Sequence, residues 1–182
     1  MEFISTAIPD VILIKPRVFG DARGFFTETW EQRKFAEAGL PWQFVQDNHS
    51  RSAKHTLRGL HYQIMQPQGK LVRVVVGEVF DVVVDLRRSS RAFGQWVGTR
   101  LSAENKQQLW VPPGFAHGFL ALSETADFVY KCTDYYAPQH ERTLVWNDAE
   151  LNISWPLPLG QAPVLSDKDK AGKPLRLTET YP

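Results

Sequence analysis

Leu71-Val72-Arg73-Val74-Val75-Val76-Gly77-Glu78-Val79-Phe80-Asp81-Val82-Val83-Val84-Asp85-Leu86 is the stretch that decides the fold. Two valine-rich runs, Leu71 to Val76 and Glu78 to Leu86, flank one glycine that can supply a tight turn or a bulge. Branching at Cβ suits valine to an extended, pleated backbone. In the second run Phe80, Val82 and Val84 share one face while Asp81, Val83 and Asp85 share the other, a period of two with one partly polar face. Working outward, strands are expected at Val11 to Lys15, Phe25 to Trp30, Phe44 to Ser50, Thr56 to Gln63, Trp96 to Leu101, Gln108 to Val111, Gly118 to Leu122 and Ala126 to Thr133. Short strands at this spacing, punctuated by Gly and Pro, predict an all-β sandwich or barrel.

Helices are few and peripheral. Thr29 and Gln32 have capping-box spacing, Phe35 and Ala38 share a face, and Gly39 followed by Pro41 stops the segment. Ser102 to Gln107 is long enough for one helical turn. After Trp155 the chain carries several prolines and then Ser166-Asp167-Lys168-Asp169-Lys170, a tail expected to wrap over the domain. Trp30, Trp42, Trp96, Trp110 and Trp146 read as core, with a dimer interface as the other use for such mass.

At 182 residues the chain suits one domain, 1–182, with a full core. A formal net charge of +1 gives no general pull toward nucleic acid or an anionic membrane, so any anion must be held by a few converging Arg and Lys side chains. The single cysteine, Cys132, makes neither an internal disulfide nor a multi-cysteine metal site and favours a reducing cytoplasm. Met1-Glu2-Phe3-Ile4 does not begin a signal peptide, and no apolar run is long enough to span a bilayer.

Two segments stand out for chemistry. Arg58-Gly59-Leu60-His61-Tyr62-Gln63 sets an imidazole inside an expected strand, where a group that titrates near neutrality is a natural proton acceptor. Taken alone, His61 reads equally as a core histidine with a satisfied hydrogen bond. The second segment is Pro112-Pro113-Gly114-Phe115-Ala116-His117-Gly118, whose Pro-x-Gly-x-x-His fits the second motif of cupin barrels, where the histidine often binds a metal. The first motif of such metal sites supplies His-x-His and a following Glu, but here it reads His61-Tyr62-Gln63, and the asparagine expected near the end of the second motif is Ala121. A catalytic metal needs about three protein ligands with a position left open. The expectation is a barrel without a metal.

Seven segments in order resemble the dTDP-4-dehydrorhamnose 3,5-epimerase family. They are Pro16-Arg17-Val18-Phe19-Gly20-Asp21-x-Arg23-Gly24-Phe25-Phe26, Phe44-Val45-Gln46-Asp47-Asn48-His49-Ser50, Leu57-Arg58-Gly59-Leu60-His61, Gly69-Lys70-Leu71-Val72-Arg73, Gly114-Phe115-Ala116-His117-Gly118-Phe119, Tyr130-Lys131-x-Thr133-x-Tyr135-Tyr136 and Leu165-Ser166-x-Lys168-Asp169. The resemblance implies a cupin-like jelly roll and a homodimeric enzyme that needs no cofactor. Such an enzyme inverts C3 and C5 of a 4-keto sugar attached to dTDP. It further implies His61 as base, Asp169 as its carboxylate partner, Tyr130 as general acid and Lys70 opposite the enolate oxygen. A phenol is a poor acid, with an ordinary pKa of ~10, so neighbouring cations are expected to help Tyr130. Arg58 and His117 match pocket residues for polar atoms of the substrate. Arg23 suits a diphosphate, with Glu28, Gln46, Asp47, Asn48, Glu141 and Lys168 as further matched contacts and Tyr136 stacking on the thymine. In this family the N-terminal part of one subunit helps complete its partner's pocket, and Asp169 requires the C-terminal tail to cover the barrel mouth.

Each residue has a plainer reading without the resemblance: a solvated Asp169 in a charged run, a sheet tyrosine at 130, a loop charge at Lys70, a solvated Arg23, and a His117 left over from a metal site. Three rival functions follow. A single-site epimerase, inverting C3 or C5 alone, shares the fold and much of the residue set. A metal-dependent cupin is disfavoured by the missing His-x-His pair. A sugar-nucleotide binding module has no need of a base with an acid facing it.

Overall fold

The computed structural model describes all residues, 1–182. Two antiparallel sheets face each other. The first runs β1 (Glu2–Ser5), β2 (Ile12–Lys15), β10 (Gln108–Val111), β7 (Lys70–Val76), β12 (Thr125–Cys132) and β5 (Gln46–Ala53) in spatial order. The second runs β13 (Glu141–Thr143), β6 (Leu57–Gln63), β11 (Phe115–Ala121), β8 (Glu78–Asp85) and β9 (Trp96–Ser102). A separate hairpin pairs β3 (Val18–Asp21) with β4 (Gly24–Thr27). The helices are α1 (Gln32–Glu37), α2 (Asp167–Lys170) and two short 3₁₀ turns.

The valine runs are continuous because both faces of these strands are covered. The main core lies between the sheets, where Val72, Val74 and Leu109 of one meet Val79, Val83 and Phe119 of the other. Outside the first sheet Leu71 and Trp110 pack beneath Phe35 of α1 and the following Leu40. Outside the second, Val82 and Val84 are covered by tail residues including Leu175 and Tyr181. Full burial of one such side chain stabilises the fold by roughly 1.5–3 kcal/mol. The partly polar face of Glu78 to Leu86 therefore turns inward, and Asp81, flanked by Val79 and Val83, is wholly buried.

Most strands lie within a residue or two of their expected positions, but Gly118 to Leu122 begins three residues early, at Phe115, and other segments differ too. The third segment, Phe44 to Ser50, shifts to 46–53. Of the run Phe25 to Trp30 only Phe25 to Thr27 is strand, in β4 of the outlying hairpin, and β1, β3 and β13 are further short strands beyond those expected. Ser102 to Gln107 forms a single helical turn, closed by the Lys106 amide on the Ser102 carbonyl at 3.0 Å and by reciprocal bonds between Ser102 and Asn105. The cap of α1 is Glu31, whose carboxylate accepts from the amides of Arg33 and Lys34, whereas Ala38 is an exposed C-cap and not part of the buried face. Among the tryptophans only Trp110 is buried; Trp42, 39 % exposed, stacks on it from the solvent side.

The feature that positions the site is a bulge in β6. His61 pairs with His117 and Arg58 with Phe119, so three steps along β6 oppose two along β11. Arg58 and His61, which regular alternation would put on opposite faces, consequently face the same cleft. Gly59 makes this possible: its φ is +110°, and a Cβ there would lie 2.7 Å from Gly118 Cα and from the His117 carbonyl oxygen. Gly59→Ala is expected to destabilise the protein by roughly 2–4 kcal/mol. Gly20→Ala, with no tight neighbour, should stay within about 0.5 kcal/mol. Urea unfolding of both variants checks this.

Candidate active site

The cleft opens between the two sheets, with a volume of about 380 Å³. β6 contributes Arg58 and His61, β11 His117, and the tail Ser166, Lys168 and Asp169. From the other sheet, β5 supplies Gln46 and Asn48, β7 Lys70 and β12 Tyr130. His61 and Tyr130 thus approach one space from opposite sheets.

Asp169 reaches His61 because α2 folds the tail against β6. Ser166 caps α2, its Oγ accepting from the Asp169 amide at 3.2 Å and donating to Asp169 Oδ2 at 2.6 Å. The Gly59 amide donates to Oδ1 at 3.0 Å, and His61 Nε2 lies 2.7 Å from that same oxygen. The imidazole contact is close but off-axis: Nε2 is buried without an in-line hydrogen bond. Nε2 is the ring nitrogen that lies against the carboxylate.

Burial would raise the Asp169 carboxyl, but His61, Ser166 and the Gly59 amide outweigh it and hold the group well below the usual carboxylate range. Burial lowers the His61 pKa, Asp169 opposes that, and Lys168 and Lys70 reinforce it. The resting imidazole is neutral near pH 7, as a base must be. Both shifts make the fold acid-sensitive. The unfolded chain binds a proton at His61 more readily, so that stability is lost as pH falls below the ordinary imidazole value of ~6.5. The Asp169 contribution is lost at still lower pH, below the carboxylate range.

Lys70 is bonded by no carboxylate, and burial lowers its pKa against the pull of Cys132, Glu141 and Asp81. Tyr130 differs from expectation. Arg58 does favour its ionised form, but burial dominates and the phenol is raised, so it rests protonated. Arg58 is fixed from behind, its Nε donating to Ser52 Oγ at 2.9 Å and its terminal nitrogen to the Arg51 carbonyl at 3.1 Å. His117 Nε2 sits 2.9 and 3.1 Å from the two oxygens of buried Asp81, whose carboxyl burial raises. No three His, Cys, Asp or Glu side chains converge as a metal would require.

At the mouth, Tyr136 is half exposed and its hydroxyl donates to Glu141 Oε2 at 3.1 Å, while Lys168 Nζ bonds Glu141 Oε1 at 2.9 Å. Three expected residues lie outside this cleft. Asp47 is on the opposite face of β5 and pairs with Lys131. Glu28 pairs with Lys34. Arg23 projects from the β3–β4 turn, 89 % exposed and paired with Asp21. Sequence reasoning passed over Asp81 and Ser166 as site residues. Both left signals: Asp81 shares the inward face of Val79 and Val83, and Ser166 stands three residues before Asp169 at N-cap spacing.

A cupin-like jelly roll that sets a carboxylate-backed imidazole across from a phenol, beside an enclosed ammonium, is built to move protons next to a carbonyl. The chain belongs to the dTDP-4-dehydrorhamnose 3,5-epimerase family, a family of isomerases, whose model matches residues 5–176. It is 64% identical to the Pseudomonas aeruginosa dTDP-4-dehydrorhamnose 3,5-epimerase over 100% of both chains. It superposes with a TM-score of 0.94 and 54% identity on the Legionella pneumophila dTDP-6-deoxy-D-glucose-3,5-epimerase in complex with dTDP-4-keto-L-rhamnose, covering 98% of this chain and 94% of that one. A 3'-monoepimerase from Streptomyces bikiniensis in complex with dTDP-quinovose gives 0.88 at 33% identity, over 94% and 87% of the chains.

The His61 ring should titrate below ~6.5. In Asp169→Asn, which removes the one partner favouring the imidazolium while Lys168 and Lys70 remain, it should titrate lower still. NMR titration of the ring protons measures both; an unchanged value in the variant contradicts the pairing.

Proposed function

We propose that this chain epimerises C3 and C5 of dTDP-4-dehydro-6-deoxy-α-D-glucose to give dTDP-4-dehydro-β-L-rhamnose. The reaction belongs to dTDP-L-rhamnose synthesis in the cytoplasm, is carried out by a homodimer and uses no cofactor. The observation that carries the reading is that His61 and Tyr130 enter one cleft from opposite sheets. Both carbons lie beside the C4 ketone, so their protons are acidic once the enolate oxygen is stabilised.

His61 takes a proton from one face, and Asp169 stabilises the imidazolium that forms. The Lys70 ammonium meets the oxygen as it gains charge, an electrostatic contribution commonly worth about 3–4 kcal/mol in such sites. Tyr130 returns a proton to the opposite face, and the imidazolium and phenolate are reset by exchange with solvent before the second carbon reacts. Arg58 and His117 hold polar atoms of the sugar.

Gln46, Asn48, Glu141, Lys168 and Tyr136 face the nucleotide end, with Tyr136 stacking on the base. Arg23 serves the nucleotide end through the dimer, the hairpin of one subunit meeting the cleft of the other, with Glu28 and Asp47 as further nucleotide contacts. Support for this comes from the hairpin itself, which leaves Phe19, Phe25 and Phe26 at least half exposed, an apolar surface that favours cover. Residues 1–182 act as one domain, with the tail closing the barrel mouth.

Incubation with substrate in deuterated water should place solvent deuterium at both C3 and C5. Label at one carbon only would make this a single-site epimerase, and no label would remove the acid–base reading. His61→Asn, whose amide can still donate to Asp169, should lower turnover by roughly two to four orders of magnitude while dTDP still binds. Full turnover in that variant would contradict the assignment of the base. Arg23→Ala should weaken dTDP binding more than turnover, as followed by calorimetry and steady-state kinetics.

A further inference from the structure

The position at which a metal-binding cupin carries the second histidine of His-x-His is Gln63, two residues beyond His61. Its side chain is buried, and every polar atom of its amide is used. Nε2 donates to the carbonyls of Gln66 at 2.8 Å and Tyr135 at 3.3 Å, and Oε1 accepts from the Ala137 amide at 2.9 Å. Gln68 Nε2 donates to the Asp134 carbonyl at 2.8 Å, and Gln46 Oε1 accepts from the Tyr136 amide at 2.9 Å.

These bonds matter because of what the segment lacks. Residues 133–137 belong to no strand or helix, and 134–136 make no backbone–backbone hydrogen bond. Three glutamine side chains therefore fix the backbone that carries Tyr136. A primary amide fits this task because it donates and accepts at once and does not ionise, so the seat stays unchanged across pH. Carboxylates in the same places would set lone pairs against the carbonyls of Gln66, Tyr135 and Asp134.

We propose that Gln63 and Gln68 are positioning residues that hold the Tyr136 ring at the cleft mouth as the seat for the nucleotide base. Gln63, on the strand of His61, ties the distance from that seat to the base that takes the proton. The proposal rests on the reading of Tyr136 as the stacking residue. It predicts that Gln63→Glu and Gln68→Glu, near-isosteric changes that lose the donors, weaken binding and spare chemistry.

The test is calorimetric titration of dTDP, with steady-state kinetics on the dTDP-ketosugar, for wild type, both glutamate variants, Tyr136→Ala and Gln68→Glu/Tyr136→Ala. Each glutamate variant should raise the dTDP Kd and the KM by roughly tenfold, with kcat held within about threefold. In the double variant the losses should not add, because the clamp acts through the ring. If Gln63→Glu fails to fold, the partly exposed Gln68 decides alone. Wild-type dTDP affinity in Gln68→Glu alongside weak binding in Tyr136→Ala would overturn the clamp. A fall in kcat with KM unchanged would do the same. Wild-type affinity in Tyr136→Ala would instead remove the stacking role, and the clamp with it, leaving the deuterium result as a separate test of the acid–base chemistry.

Discussion

The site depends on one buried carboxylate held against one imidazole. Asp169 is 3% exposed and lies far along the chain from His61. It stays ionised only because His61, Ser166 and the Gly59 amide surround it. With His61 neutral, the charge at stake is that of Asp169, and leaving such a buried group short of a hydrogen-bond partner commonly costs about 1–3 kcal/mol. The contact holds α2 against β6 and brings Ser166, Lys168 and Asp169 to the cleft. The contact that anchors α2 is also the one that sets the surroundings of His61.

The two-sheet architecture supplies what a single sheet cannot. Inversion at carbon needs groups on both faces of a ring, and two sheets with a gap between them present side chains from both directions. The bulge at Gly59 adds Arg58 to the His61 side without disturbing the outward packing of Leu60 and Tyr62. The same enclosure sets the electrostatics. It lowers the pKa of His61 and Lys70 and raises that of Tyr130, and in the proposed reaction a side chain so placed would act on developing charge with little competition from water.

Legibility in the sequence followed the physics of each element. Glu78 to Asp85 is legible because it alternates over eight residues. The four-residue β2 and β10 are legible from the apolar runs Ile12-Leu13-Ile14 and Leu109-Trp110-Val111, whereas β1 and β3 hold only two apolar residues each. Thr29 has the spacing of a cap for α1, yet its carbonyl is engaged by Gln108 and Glu31 caps the helix instead. The cleft gathers His61, Tyr130, Lys70, Arg58, His117 and Asp169 from motifs that are weak singly and informative in order. Asp81 sits on the partly polar face of its strand, and only the cover over Val82 and Val84 shows that this face turns inward. The bulge was hidden as well, since Gly59 betrays no register shift until its partner strand is known.

The measurement that bears most directly on imidazole and phenol acting from opposite faces is solvent exchange into recovered substrate by Tyr130→Phe. With the base intact and the acid removed, the enolate should form and be reprotonated by the imidazolium on its original face. Deuterium should then accumulate in unreacted substrate with its configuration retained and little epimer formed. Failure of Tyr130→Phe to exchange at all, with exchange persisting in a variant lacking His61, would contradict the account.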